Sequence, residues 1–317
     1  MQRQFHVLTG PTAAGKTGFL LGHLPAGSAV VVSADSRQVF RLMDIGTGKP
    51  TRDELDLLPH YGLDVLELGT KFSVYQFLIC LAGWLAELAD DPRQVWICGG
   101  TGLYIHALLE RMTLGAPPRH KLRLALSAAI SERSAHYWSE ALQLSPADPH
   151  NPVRVVRAAE AACVDHLAMQ RIYAQLGLDP VVDDAGNAVE QERFLAAMQV
   201  LDHWQCAGLA VLDPGHAELL SRISLRVRRM FEQGLPEEVQ VIRDAGYGDV
   251  DEVANGIAYR EAGQLLDGEI GYEDAVEQAI IRTRQYAKRQ RTYFRGRGWQ
   301  FKDDAKLLAW FNGLQRS

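Results

Sequence analysis

Short apolar runs, each ending at a small or polar residue, alternate with helical spacing over the first part of the chain. Phe5 to Leu8, Ala29 to Ser33 and Val95 to Cys98 have the length and β-branched content of buried strands. Helical patterns follow Gly15, run from Ser73 to Leu88 and resume after Gly102. Alternation of this kind predicts an α/β fold, a parallel sheet flanked by helices with ligands at the carboxyl ends of the strands. The pattern changes after about residue 112. Gly115-Ala116-Pro117-Pro118 marks a boundary, and Ala-rich helical stretches follow at Leu122 to Ala129, Ser134 to Leu142 and Val155 to Leu176. They are interrupted by Ser145-Pro146-Ala147-Asp148-Pro149, and Asp183-Asp184-Ala185-Gly186-Asn187 reads as a loop. From about Glu218 to Phe294 helices return, separated at Gly234-Leu235-Pro236 and Ala245-Gly246-Tyr247-Gly248. The expected organisation is an α/β core over residues 1–112, a helical insertion domain over 113–205, and C-terminal helices over 206–317 packing back on the core. No internal repeat or low-complexity tract interrupts it.

The first strand runs directly into Gly10-Pro11-Thr12-Ala13-Ala14-Gly15-Lys16-Thr17, a G-x-x-x-x-G-K-T sequence that opens a helix. Strand, glycine loop and helix together form an anion cradle. The glycines let backbone N–H groups turn toward a phosphate, and the helix N-terminus adds its positive end. Lys16 has the reach for terminal phosphate oxygens, and the Thr17 hydroxyl is a Mg2+ ligand in such loops. The core is therefore expected to be P-loop NTPase-like, and the chain to bind a polyphosphate.

What happens to the phosphate depends on the other strand ends. The second strand ends in Ser33-Ala34-Asp35, a carboxylate placed beside the cradle. The third ends in Gly99-Gly100-Thr101-Gly102, where a nucleotide hydrolase would carry an Asp. One carboxylate and an opposing glycine turn suit an enzyme that brings a second substrate to the phosphate. On residue type alone Asp35 remains open between a kinase-type Mg2+ ligand and a base, and Thr101 between a contact and plain loop geometry.

Seven segments in order resemble the tRNA dimethylallyltransferases, which prenylate the adenosine 3′ of the anticodon. They are Gly10 to Thr17, Ser33 to Phe40, Asp44-Ile45-Gly46-Thr47-Gly48-Lys49-Pro50, Phe72 to Phe77, Gly99 to Tyr104, Asn255-Gly256-Ile257-Ala258-Tyr259-Arg260-Glu261 and Thr283 to Gln290. The chain departs from the family pattern at His60-Tyr61, at Val153 before Arg154 and Arg157, and at Asp213-Pro214-Gly215. The resemblance implies transfer of a dimethylallyl group from dimethylallyl diphosphate to adenosine N6 of tRNA. It implies that Asp35 is the base, that Thr101 contacts substrate near the reacting carbon, and that Ser36, Arg37, Gln38, Arg123, Arg154 and Arg157 contact tRNA.

The chemistry fits those residues. As the donor C–O bond breaks, charge develops on diphosphate, which the cradle, Lys16 and a Mg2+ on Thr17 would stabilise. Arg226 is a candidate second cation on the diphosphate. The adenine amine is a weak nucleophile, so a carboxylate that orients it and takes its proton is needed. The target base is expected to leave its stack and enter a dry channel between the core and the insertion.

Net charge changes the picture, because the chain carries −6 at pH 7, awkward for an RNA partner. Distribution decides. Between Arg282 and Arg297 lie seven Lys/Arg and no acid. On a helix Arg284, Lys288, Arg291 and Arg295 form one stripe, while Thr283, Tyr286, Ala287, Tyr293 and Phe294 face the core. Arg284, Lys288 and Arg291 are therefore expected tRNA contacts. Arg222, Arg226, Arg228 and Arg229 form a second basic cluster. Two rivals remain: a kinase or isopentenyltransferase acting on a free adenine nucleotide, which has no need of the stripe, and a non-enzymatic nucleotide-switched RNA-binding protein, which has no need of Asp35.

The 317 residues are 47% hydrophobic and 23% charged, the balance of a globular protein. No apolar run approaches a membrane span, and Met1-Gln2-Arg3-Gln4 leaves no room for a signal peptide, so a cytoplasmic monomer is expected. Cys80, Cys98, Cys163 and Cys206 lack C-x-x-C spacing and read as small buried hydrophobes.

Overall fold

The computed structural model describes residues 2–111, 120–163, 166–178 and 185–314. The chain divides into two compact units, one formed by residues 1–110 and 200–317, the other by 111–199. The boundary motif Gly115 to Pro118 lies outside the described residues.

The first unit is built on a six-stranded sheet, every pairing parallel. Its strands are β1 (Arg3–Thr9), β2 (Ala29–Ser33), β3 (His60–Tyr61), β4 (Gln94–Gly99), β5 (Trp204–Leu212) and β6 (Phe301–Lys302). They lie in the order β3-β2-β4-β1-β5-β6. All five residues of β2 are buried, as a central parallel strand covered on both faces requires. β1 is flanked by β4 and β5, so the loop after Thr9 opens in the middle of the sheet. One sheet face packs Leu8, Val31, Trp96 and Ala210 against the helix Lys16–His23 and the C-terminal helix Asp304–Leu314, through Phe19, Leu20, Leu307 and Phe311. A second apolar cluster joins Val39, Phe40 and Met43 to Ile223, Val227, Val239, Tyr259, Ala279 and Ala287.

β5 shows no strand signature in the sequence. Trp204-Gln205-Cys206-Ala207-Gly208 carries polar and small residues early, and the strand is assigned to the sheet by its pairing with β1, including a register shift between Phe5 and His6. β3 and β6, two residues each, escape pattern reading for the same reason: a ladder that short leaves no periodicity.

The long helix Tyr272–Gly296 carries the acid-free stripe; of its expected core face Thr283, Ala287 and Phe294 are buried, joined by Gln290, while Tyr286 and Tyr293 are only half-buried, Tyr286 because it lines the cavities. Ser73 caps Val74–Glu87 through a reciprocal capping box with Gln76. Leu235 and Pro236 open the helix Leu235–Asp244 instead of separating two helices, so the break falls on Gly234.

The second unit is helical and has its own core of Leu122, Leu126, Leu142, Val156, Ala159, Ile172 and Tyr173. The stretch from Val155 to Leu176 is two helices, Pro152–Ala162 and His166–Gln175. The first stops at Cys163, whose N–H turns back to the Ala159 and Glu160 carbonyls. Ala185, Gly186 and Asn187, expected in a loop, open the helix Ala185–Asp202; Asp183 and Asp184 lie outside the described residues. Cys98 and Cys163 are buried, whereas Cys80 and Cys206 are only half-buried. Among the described residues no helix is long and apolar enough to cross a membrane.

Candidate active site

The carboxyl ends of β1, β2 and β4 converge in the first unit. The cradle turns through Ala13 (φ 62) and through Gly15 (φ 97, ψ 20), a left-handed conformation that glycine adopts without strain. Lys16 folds back onto its loop, donating to the Gly10 carbonyl at 3.1 Å and the Pro11 carbonyl at 3.0 Å. Burial pushes its ammonium below the usual lysine range, Arg226 adding to the effect and Asp35 opposing it. The cradle, Lys16 and Thr17 line a cavity of about 210 Å³ together with Asp35, Gln38, Gly100, Arg226, Tyr286 and Gln290.

Asp35 is held in place by its own turn. Its Oδ1 accepts from the Arg37 N–H at 2.8 Å and the Gln38 N–H at 3.4 Å. Thr101 belongs to the same cluster: its Oγ1 accepts from the Ser36 N–H at 3.1 Å, and its own N–H donates to the Ala34 carbonyl at 3.2 Å. Gln38 is committed on both sides, accepting from Ser33 Oγ at 2.9 Å and donating to the Gly48 carbonyl at 3.2 Å. The glycine turn after β4 and the Asp35 turn after β2 are thus one tied assembly.

A second cavity, of about 340 Å³, lies next to the first and shares Thr12, Asp35, Thr47, Arg226 and Tyr286 with it. Its lining includes the apolar Met43, Val227, Met230 and Ile257; Arg37 and Arg289 add positive charge, while Arg282 is paired with the buried Glu261. Arg289 stacks on Tyr286, 5.7 Å from the ring centre. Burial, with the Asp35 charge second, pushes the Tyr286 hydroxyl well above the usual range, and Tyr104 likewise, so both are neutral hydrogen-bond donors at any working pH. A charged group gripped in the smaller cavity and a planar or apolar group seated in the larger one would meet at Asp35.

Three residues secure this geometry through partners far away in the sequence. The buried Gln290 accepts from the Thr12 N–H at 2.8 Å and donates to the Gly100 carbonyl at 2.8 Å, clamping the cradle to the glycine turn. Arg222 donates to the Ala14 carbonyl at 2.8 Å. Glu238 gathers the backbone of Asp44, Ile45 and Gly46. Partnerships across such sequence separations leave no local pattern.

The expected RNA-facing cations divide. Lys288 is exposed on the long helix. Arg291 instead pairs with Asp213, Nε to Oδ2 at 2.7 Å, both side chains largely buried, and Arg284 donates to Ser224 Oγ at 2.9 Å. The stripe is therefore part structural, because Asp213 at the end of β5 draws Arg291 inward. In the helical unit Arg123 chelates the buried carboxylate of Glu160, at 2.5 and 3.0 Å, and Arg157 pairs with the same group, while Arg154 is exposed. Of the second basic cluster, Arg228 pairs with Glu273 at 3.3 Å.

A family profile described as IPP transferase matches residues 38–297. A tRNA dimethylallyltransferase of Myxococcus xanthus is 33% identical over 297 residues, covering 91% of this chain and 88% of the relative. The crystal structure of a tRNA isopentenylpyrophosphate transferase from Bacillus halodurans is similar with a TM-score of 0.62 at 27% identity, over 99% of this chain and 96% of that one. A tRNA delta(2)-isopentenylpyrophosphate transferase from Staphylococcus epidermidis gives 0.65 at 26% identity, over 99% of both chains. With the profile spanning most of the chain and relatives aligned nearly end to end, the chain belongs to the IPP transferase family.

Proposed function

We propose that this chain transfers a dimethylallyl group from dimethylallyl diphosphate to N6 of the adenosine 3′-adjacent to the anticodon in tRNA, releasing diphosphate. The supporting observation is the pair of adjoining cavities that share Asp35 and Arg226, one an anion cradle and the other partly apolar. The donor's C1–O bond breaks and its electron pair leaves with diphosphate. The N6 lone pair forms the new C–N bond, and the N6 proton passes to the Asp35 carboxylate. The loop N–H groups, Lys16 and Arg226 stabilise charge on the leaving group, worth most where water is excluded. Backbone donors already fix Asp35, so it needs little reorganisation to accept an amine hydrogen.

A Mg2+ ion fits the smaller cavity, where the Thr17 hydroxyl would hold it. The Glu54 carboxylate lies on the wall of the same cavity, which leaves Asp35 to act as the base. When bound the ion would neutralise the departing diphosphate. Ser36 and Arg37 line the acceptor cavity, Thr101 holds the Ser36 N–H, Gln38 lines the donor side, and the exposed Arg154 and Lys288 supply charge for the RNA backbone. A tRNA substrate favours the cytoplasm. Incubation with dimethylallyl diphosphate, Mg2+ and unmodified tRNA, followed by nucleoside mass spectrometry, should show one prenylated adenosine. Product with AMP and none with tRNA would overturn the reading.

A further inference from the structure

The segment Asp44 to Pro50 contributes to the lining of both cavities, yet its polar side chains are turned onto the protein. The largely buried Lys49 ammonium is tied to the Phe40 carbonyl at 2.7 Å, Asp44 at 2.7 Å and Asp64 at 2.5 Å. The Thr47 hydroxyl donates to the Met43 carbonyl at 2.5 Å. What the segment presents to the site is backbone. The Thr47 carbonyl accepts from Arg226 Nη2 at 3.0 Å, and the Gly48 carbonyl accepts from Gln38. Gly48 is left-handed (φ 61), and a Cβ there would stand 2.2 Å from Arg226 Nη2, so the end of the guanidinium lies close against the turn.

One carboxylate holds this turn in shape. Glu238 Oε2 accepts from the N–H of Asp44 at 3.1 Å and of Ile45 at 2.7 Å; Oε1 accepts from the Gly46 N–H at 3.2 Å and from the Tyr259 hydroxyl at 2.6 Å. Charge-assisted bonds of this kind are the strong ones, and successive N–H groups on one anion fix a turn that has no periodic structure of its own. Tyr259 is buried with its ring against Gly46, and burial together with the Glu238 charge raises its hydroxyl far above the usual range, so it remains a donor. Arg226 is itself desolvated, and burial lowers its affinity for its proton. Its direction is then set by few contacts, of which the Thr47 carbonyl is one.

We propose that Glu238 is a positioning residue for the prenyl donor: by gripping the backbone of residues 44–46 it sets the carbonyl shelf that aims Arg226 at the diphosphate. This rests on the reading above, in which Arg226 is a second cation on the leaving group. Glu238→Gln keeps the volume but turns an amide N–H₂ toward backbone donors, which frees the turn.

The test is calorimetric binding of inorganic diphosphate with Mg2+ to the full chain, comparing wild type, Glu238→Gln, Arg226→Ala and the double variant. Glu238→Gln is expected to weaken diphosphate about tenfold, the scale of one misdirected charge-assisted contact. The double variant should bind within about twofold of Arg226→Ala alone, because a positioning residue has no effect once its target is gone. In turnover the donor KM should rise in step while the tRNA KM stays unchanged. Tyr259→Phe, which removes one of four donors, should show a smaller loss with the same non-additivity, and it carries the test if Glu238→Gln does not fold. Additive losses, or a tRNA KM that rises equally, would overturn the proposal. An Arg226→Ala protein that binds diphosphate normally would overturn the donor role of Arg226, and the proposal with it. A wild-type chain that transfers prenyl groups but shows additive variants would leave the functional reading standing and this proposal refuted.

Discussion

Replacing Gln290 with Met tests whether the cradle depends on a clamp from the far end of the chain. The two side chains are nearly equal in volume, so the change removes hydrogen bonds without opening a cavity. It leaves the Thr12 N–H and the Gly100 carbonyl without the partners they have at 2.8 Å each. An unsatisfied buried polar group costs about 1–3 kcal/mol. The Gly100 bond is buried, whereas the Thr12 bond is half-buried and water can partly replace it, so the sum is about 2–4 kcal/mol. For a protein of this size that lowers the midpoint of unfolding of the sheet-containing unit by roughly 4–16 °C. A loosened cradle also pays an ordering cost when an anion binds, so the affinity for inorganic diphosphate should fall by roughly tenfold, about 1.4 kcal/mol. Differential scanning calorimetry with and without diphosphate and Mg2+ reads both effects. A Gln290→Met protein whose midpoint stays within a degree of wild type, with diphosphate affinity unchanged, would refute the clamp.

Asp35→Asn retains an Oδ1 for the Arg37 and Gln38 N–H groups, so diphosphate binding should survive while turnover falls by about two decades or more; parallel loss of metal-dependent binding would return Asp35 to a metal-ligand role. Lys288→Ala should leave the unfolding midpoint unchanged and reduce the salt slope of tRNA binding by about one. Arg291→Ala, which orphans the nearly buried Asp213, should cost about 3 kcal/mol of stability, and a stable Arg291→Ala protein with weakened tRNA binding would reverse that division of the stripe. The Lys16 ammonium, pushed down by burial, must be charged to grip diphosphate. Affinity should be full below its depressed pKa and decline as pH rises through it, in a window below the ordinary 10.5. The stability of the unliganded protein moves oppositely, rising with pH across that window because the unfolded chain binds the extra proton. Isothermal titration of diphosphate against pH, with Lys16→Arg as a control whose affinity stays flat, reads the effect, and identical pH profiles would refute it.

How much of the molecule is legible in its residues follows from the range of the interactions involved. The cradle from Gly10 to Thr17, the Asp35 turn and the glycine turn before Thr101 are each written in neighbouring residues, because backbone direction, helix dipole and side-chain reach act over a few positions. β2 and β4 are legible for the same reason, and so is most of the core face of the long C-terminal helix. The sequence alone therefore points to an α/β core with a glycine loop at the end of β1 and a carboxylate at the end of β2. Folding decides the partnerships. β5 is a strand because β1 offers it a ladder, whatever the pattern of Gln205 and Gly208. Arg291 joins Asp213 instead of the exposed stripe, Gln290 ties two loops at the opposite end of the chain, and Glu238 shapes a turn nearly two hundred residues upstream. Desolvated polar groups must find partners wherever the fold brings them, and that requirement leaves no imprint on the residues to either side.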